Sequence, residues 1–110
     1  MDPNMSAKDF IKELFNIDMP IAGGYGENKQ NAVKMLYEFP NDFINTEYLY
    51  LQCISKAMEK SYKVEGQELL HEGGYTYDKI QIETTYKKDG KTIVQLEDWY
   101  FDITDCFGKK

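Results

Sequence analysis

The dipeptide Asp89-Gly90 lies between two long stretches of alternating apolar and polar residues, and this arrangement constrains the fold more than any other feature of the chain. The stretches cover residues 75–87 and 92–104. Asp-Gly in such a position is typical of a two-residue β-hairpin turn, in which both central residues take positive φ. A turn there pairs residues whose numbers sum to 179, so that Ile80 faces Trp99. The sequence therefore predicts a long β-hairpin with a defined register.

That register divides the side chains of the hairpin between two faces, because neighbouring residues of a strand point to opposite sides. The face predicted to pack on the core carries Ile80, Ile82, Tyr86, Ile93, Trp99, Phe101 and Ile103. The opposite face carries Tyr77, Lys79, Gln81, Asp98, Tyr100 and Asp102. This second set is either a solvated sheet face or a binding surface, in which tyrosines act as anchors and aspartates select a cationic partner.

Glu97 is the exception in this pattern, because the register puts it on the apolar face opposite Ile82. An unpaired carboxylate is costly in such surroundings. Three placements are open. A β-bulge near residues 97–98 could turn the side chain outward, or a position near the sheet edge could bring it to solvent. Alternatively, Glu97 lies in a pocket that raises its pKa.

The N-terminal part of the chain predicts a helix, a loop and a strand. Ser6 is a suitable N-cap for a helix over residues 6–16, whose apolar residues recur at helical spacing. The glycine-rich segment 23–26 lacks the Gly-Lys-Ser/Thr ending of a phosphate-binding loop, so we expect a turn or bulge that needs positive φ. Alternation from Asn31 predicts a strand that Pro40 ends.

A second, longer helix is predicted over residues 46–61, with Asn45 or Thr46 as its cap. Its apolar stripe consists of Tyr50, Leu51, Ile54, Ala57 and Met58. The side opposite the stripe carries Gln52, Ser55, Lys56, Glu59 and Lys60. Residues 62–72 suggest a short strand interrupted at Gly66.

This order of elements predicts a single α+β domain over residues 1–110, with residues 1–5 flexible. Two helices are expected to pack on one face of a mainly antiparallel sheet that ends in the β-hairpin.

The charge balance favours a protein partner over nucleic acid. All 13 basic residues are lysine, against 19 acidic residues, and the net charge is −6. Arginine is the preferred side chain for bidentate contacts to phosphates and base edges, so a chain without it is poorly suited to nucleic acid. An acidic surface instead speeds encounter with basic partners.

The sequence predicts a cytoplasmic protein with no membrane partner. It contains no apolar run of the roughly 18 residues that a membrane helix needs, and its N-terminus lacks the pattern of a secretory signal. Cys53 and Cys106 have no metal-type spacing, so we expect free thiols in a reducing compartment. A disulfide between them is the alternative.

Residues typical of catalysis are few. His71 is the only histidine and is flanked by acids, which is more typical of a surface or packing residue than of a base or ligand. Asp102, Asp105 and Cys106 form only a weak metal-type cluster. We therefore expect no catalytic residues, no metal and no cofactor, and a binding protein rather than an enzyme.

The segment 20–26, Pro-Ile-Ala-Gly-Gly-Tyr-Gly, followed by a strand beginning Asn31-Ala32-Val33, resembles a pattern in small bacterial immunity proteins. These proteins belong to contact-dependent inhibition and related polymorphic-toxin systems, and the resemblance covers about fifteen residues. It implies a cytoplasmic, non-enzymatic protein that binds and blocks one cognate toxin domain, often a basic nuclease.

The leading hypothesis is thus an inhibitory binding protein whose partner is a basic toxin domain. The residues expected to contact the partner are Tyr77, Asp98, Tyr100, Asp102 and Asp105, with Tyr25 and Glu27 as loop contacts. One alternative is a phage-type inhibitor whose carboxylates mimic nucleic-acid phosphates. Another is a small ligand-binding or enzymatic α+β domain with a pocket near Glu97 and His71.

Overall fold

Two α-helices and five strands form the part of the chain that the computed structural model describes, residues 4–38 and 42–108. In chain order they are α1 (Ala7–Phe15), β1 (Ile21–Gly23), a 3₁₀ turn (Lys29–Asn31), β2 (Val33–Met35), α2 (Phe43–Ala57), β3 (Ser61–Glu72), β4 (Tyr75–Lys88) and β5 (Lys91–Asp102). The fold is α+β, as the sequence predicts.

The strands form one sheet in the order β1-β2-β5-β4-β3. All neighbouring pairs are antiparallel except β2 and β5, which run parallel. The β4–β5 hairpin has the predicted register, with Ile80 opposite Trp99 and every pair summing to 179. Asp89 and Gly90 form the turn with φ of 52° and 76°. The register prediction is therefore confirmed.

The two helices cover one side of this sheet, which we call the inner face. On it lie Asp78, Ile80, Ile82, Thr84, Glu97, Trp99 and Phe101. The α2 residue Tyr50 contacts Phe101 edge-on at 5.8 Å between ring centroids, and Ile11 of α1 joins the same core. The predicted core residues of the hairpin are buried except Tyr86 and Ile93, which are half-buried near its tip.

Both helices differ slightly from their predicted bounds. In α1 the Ser6 hydroxyl accepts a hydrogen bond from the Asp9 N–H at 3.1 Å, as expected for an N-cap. By contrast, α2 begins at Phe43 rather than at residue 46, because Phe43 packs against the core and extends the helix beyond its polar residues. Thr46 lies inside the first turn, where its hydroxyl donates to the Asp42 carbonyl.

The buried stripe of α2 is also broader than predicted. Tyr50, Leu51 and Ile54 are buried as expected, but Met58 is exposed because the helix ends at Ala57. Ser55, which the sequence places on the solvent side, is buried.

Strand β1 is absent from the sequence-based prediction, which treats this segment as loop. Ile21–Gly23 pairs with Val33–Met35, so the glycine-rich segment begins inside a small antiparallel ladder. The strand predicted from Asn31 is accordingly shorter, because Lys29–Asn31 forms the 3₁₀ turn. The predicted strand end at Pro40 lies outside the described residues.

Strand β3 is longer than predicted. Ser61–Glu72 pairs along its whole length with β4, and the irregularity at Gly66 is a bulge between Val64 and Gly66 rather than a break.

The loop between β1 and the 3₁₀ turn is built around glycine and one tyrosine. Gly23 and Gly26 have φ of 78° and 98°, which confirms the predicted need for positive φ. The Tyr25 hydroxyl donates to the Met5 carbonyl at 2.7 Å, and the Tyr25 carbonyl accepts from the Tyr50 hydroxyl at 2.7 Å. The loop is therefore fastened to both the N-terminal segment and α2.

No disulfide joins Cys53 and Cys106, which are both buried. Burial raises the pKa of the Cys53 thiol, and the Cys106 thiol donates weakly to the Met35 carbonyl at 3.4 Å. Neither helix among the described residues is long and apolar enough to cross a membrane.

The close packing of the loop can be tested with Gly24→Ala. A Cβ at this position would lie 2.5 Å from the Asn31 carbonyl oxygen, so we expect the free energy of unfolding to fall by about 1–3 kcal/mol. Gly66→Ala is the control, because a Cβ there meets nothing within 4 Å and should change stability by less than about 0.5 kcal/mol. Urea unfolding measures both, and equal effects would contradict the packing.

Candidate functional site

The predicted contact residues lie mainly on the sheet face opposite the helices, which we call the outer face. Tyr77 pairs with Asp102, Lys79 with Tyr100 and Gln81 with Asp98, so these side chains form one strip across β4 and β5. The next pairs toward the hairpin tip are Glu83 with Leu96 and Thr85 with Val94.

The aspartates of this strip have different local partners. Asp98 accepts a hydrogen bond from the Gln81 amide at 3.2 Å. Asp102 accepts from both the backbone N–H and the hydroxyl of Thr104, so it stabilises the turn that follows β5. Asp105 lies in that turn and forms an exposed ion pair with Lys34 at 3.6 Å. Among these aspartates, Asp98 therefore has the smallest structural role, and its carboxylate is the one best placed to contact a partner.

An ion pair also links the two sides of the outer face near the tyrosines. The Lys29 ammonium, from the 3₁₀ turn beside β5, donates to Glu72 of β3 at 2.6 Å, and this hydrogen bond raises the Lys29 pKa. The Tyr77 pKa is raised as well, first by burial and then by the charges of Asp102 and Glu72. The tyrosine end of the outer face is thus partly covered by the protein's own charged groups.

Two exposed apolar side chains on the outer face were missed by sequence reasoning. Val94 and Leu96 are 56% and 60% exposed, although they lie mid-strand. Their even numbers place them on the same side as Asp98, and that parity was the signal available in the sequence. Glu83 lies directly across from Leu96, and Asp98 follows two residues later, so carboxylates border the apolar pair.

The two predicted loop contacts differ in how much of the side chain is available. Tyr25 is half-buried, with its ring edge-on to Phe10 at 5.9 Å. Glu27 is exposed and lines, with Tyr25, Gly24 and Ser6, an open pocket of about 570 Å³. Tyr25 therefore supports the loop, while Glu27 is the side chain that faces solvent.

Glu97 takes none of the three placements considered from the sequence. Register is regular at Ile82–Glu97, so no bulge turns it outward. The pairing of β2 with β5 covers only Phe101 and Asp102, so β5 has one neighbouring strand at Glu97, but the side chain does not extend into solvent. The carboxylate lies on the inner face, 17% exposed, and pairs with the Lys60 ammonium at 2.9 Å. Thr84 and Gln95 donate to the same oxygen at 2.8 and 2.9 Å. Burial opposes ionisation, but these donors and Lys60 outweigh it, so the Glu97 pKa is lowered rather than raised.

A shared pocket of Glu97 and His71 is excluded by register. His71 pairs with Thr76 and Glu97 with Ile82, and six residues of strand separate these positions by about 20 Å. The exposed His71 ring lies near the Thr76 hydroxyl, at 3.2 Å, and packs edge-on to Phe107.

A second carboxyl group, not considered from the sequence, is completely buried on the inner face. Glu47 of α2 is 0% exposed, and it lies against Asp78 of β4, which is 3% exposed. Neither carboxyl oxygen of Glu47 has a hydrogen-bond partner among the described residues. Burial first, and then Asp78, raise the Glu47 pKa to about 10. Glu47 is therefore protonated at neutral pH; we call Glu47 and Asp78 the carboxyl pair.

Asp78 connects the carboxyl pair to an open pocket at the end of the sheet. The Gln67 amide donates to Asp78 at 2.7 Å. The pocket, which we call the end pocket, has a volume of about 410 Å³ and is lined by Phe43, Ile44, Gln67, Leu69, Asp78, Ile103 and Phe107.

Within the described residues, the outer face, the open pocket beside Glu27 and the end pocket are the arrangements that could engage another molecule. No group of three His, Cys, Asp or Glu side chains within residues 4–38 and 42–108 is arranged to hold a metal ion. Comparison of the chain with protein-family models, with curated proteins and with solved structures finds no match. What these surfaces could bind is therefore argued from their own side chains.

The protonation of Glu47 predicts how stability depends on pH. Between its ordinary pKa of 4.5 and its folded value of about 10, the unfolded chain has released a proton that the folded chain keeps. The free energy of unfolding contributed by Glu47 therefore decreases as pH rises, by up to about 1.4 kcal/mol per pH unit. Urea unfolding from pH 6 to 9 should show this slope in the difference between wild type and Glu47→Gln. A constant difference would contradict the protonated state.

The Lys60–Glu97 ion pair generates a second stability prediction. Lys60→Met leaves Glu97 on the inner face without its cation, and we expect a loss of about 1–3 kcal/mol in the free energy of unfolding. Lys63→Met is the matched control, because its ion pair with Glu65 is exposed and should contribute less than about 1 kcal/mol. Similar small losses in both variants would show that the Lys60–Glu97 ion pair stabilises the fold no more than an exposed ion pair does.

Proposed function

We propose that the protein is an inhibitory binding protein that attaches to a basic protein partner through its outer face. The observation that carries this proposal is the exposed apolar pair Val94 and Leu96, which lies on the outer face toward the hairpin tip and is bordered by Glu83 and Asp98. Apolar anchors surrounded by polar groups are the usual arrangement of a protein-binding surface. Carboxylates at the border of such a surface favour a cationic partner.

The inner face of the sheet differs from the outer face in being covered, and this difference supports the outer face as the binding surface. There, α1 and α2 bury the apolar residues of the same two strands, among them Ile80, Ile82 and Phe101. The outer face lacks such a cover among the described residues near the hairpin tip, so Leu96 exposes more than half of its surface. A partner that covers Leu96 would gain apolar burial at a place where the strand backbone is already ordered.

The net charge of the chain acts in the same direction. At −6 it attracts a basic partner over a distance of roughly one Debye length, about 8 Å at physiological salt. Charge of this kind mainly raises the association rate, whereas the buried anchors lower the dissociation rate. Together with the resemblance of the segment 20–26 to immunity proteins, this favours a cognate toxin domain as the partner, which the protein would neutralise by covering its basic surface.

The proposal can be tested with the product of the neighbouring gene, purified together with this chain. We expect the two to co-elute and their association rate to fall at least tenfold between low and high salt. Absence of a complex, or an association rate indifferent to ionic strength, would contradict a charge-steered complex.

Variants of the outer face locate the binding surface. Asp98→Lys should slow association, and Leu96→Ser should speed dissociation by about tenfold or more, because it removes an apolar anchor. Glu13→Lys, on the exposed side of α1, makes the same charge change as Asp98→Lys and should alter the association rate much less. Equal effects of the two lysine variants would mean that the outer face is not where the partner binds.

A further inference from the structure

Two buried carboxyl sites share the inner face, but they are neutralised differently. At Glu97 the protein supplies its own cation, Lys60, at 2.9 Å. At the carboxyl pair, no lysine of the described residues lies within ion-pair distance of either Glu47 or Asp78. The Gln67 amide donates to Asp78 and carries no compensating charge.

Burial of an uncompensated charge is costly, because the protein interior cannot replace the hydration of a carboxylate. Asp78 is 3% exposed, yet it lines the end pocket, so the pocket is the route by which a group from outside reaches it. The remaining walls of the pocket are mainly apolar and come from α2, β3 and the turn after β5. They include Ile44, Leu69 and Phe107, which are all partly exposed.

We propose that the end pocket binds a small organic cation, with its ammonium group against Asp78 and its apolar body between Leu69 and Phe107. The volume of about 410 Å³ falls in the range of small-molecule pockets, about 300–1,000 Å³. Glu47 keeps its proton, so a single bound ammonium supplies the cation that the carboxyl pair lacks. The site lies on the inner side of the sheet and is independent of the partner surface proposed above.

Three probes with the same phenylethyl body separate charge from apolar contact. They are 2-phenylethylamine, 2-phenylethanol and 3-phenylpropanoate, which carry a positive, zero and negative charge at pH 7. In ¹H–¹⁵N NMR titrations we expect saturable shifts of the amides of Leu69, Asp78 and Phe107 with the amine. Its dissociation constant should be at least tenfold lower than that of the alcohol, because its hydrogen bond to Asp78 is charge-assisted. Equal affinities for amine and alcohol would overturn the proposal.

Variants assign the charge to one residue. Asp78→Asn should weaken amine binding at least tenfold, whereas Glu47→Gln should change it less than about threefold, because it keeps the Asp78 carboxyl group that contacts the ammonium. Asp98→Asn removes a carboxylate of the outer face and serves as the matched control with unchanged amine affinity. Amine binding that survives Asp78→Asn, or shifts that map around Asp98, would contradict the assignment.

Leu69→Lys keeps the proposal testable if Asp78→Asn does not fold. Leu69 is the cross-strand partner of Asp78, so a lysine there carries its own ammonium into the end pocket. We expect this variant to fold and to bind the amine at least tenfold more weakly than wild type. Wild-type affinity in this variant would overturn the proposal, and neither result depends on the partner protein of the outer face.

Discussion

The pairing of β4 with β5 is the constraint on which the rest of the structure depends. The turn at Asp89 and Gly90 sets a register in which residues sum to 179, and every later assignment of a side chain to a face follows from it. A slip of β5 by one residue would exchange its two faces. It would expose Trp99 and would turn Asp98 and Tyr100 toward the helices. The helices cover the inner face, but the register of the hairpin determines which side chains lie on that face.

Charged groups on the inner face show how the fold accommodates that constraint. Register alone would bury Glu97 without a partner. The Lys60 ammonium, from the residue just before β3, pairs with this carboxylate at 2.9 Å. The same register buries Asp78, and here the response is a proton held by Glu47. The first arrangement completes its charge balance within the chain. The second has no lysine of the described residues within ion-pair distance and lies beside an open pocket, so we propose a binding role for the second site alone.

Sequence reasoning succeeded where the cause of structure is local. The Asp-Gly turn fixes the hairpin, and Ser6 caps α1 through an N–H three residues away. It failed where a distant partner decides: β1 forms only because β2 pairs with it, and the Glu97 pKa is lowered in part because Lys60 reaches the carboxylate. Glu47 was missed although it lies three residues before Tyr50, on the buried side of α2. A glutamate is expected to face solvent because it is charged. The sequence also does not show that Asp78, which is far away in the chain, packs beside Glu47.

Cross-strand nuclear Overhauser effects in the isotope-labelled protein test the central claim most directly, because they report register without reference to any partner. The structure predicts backbone contacts between Lys79 and Tyr100 and between Gln81 and Asp98, the pairs that direct Asp98 and Tyr100 to the outer face. Contacts between residues whose numbers sum to 178 or 180 instead would contradict it. The proposed binding surface on the outer face would then lose its structural basis.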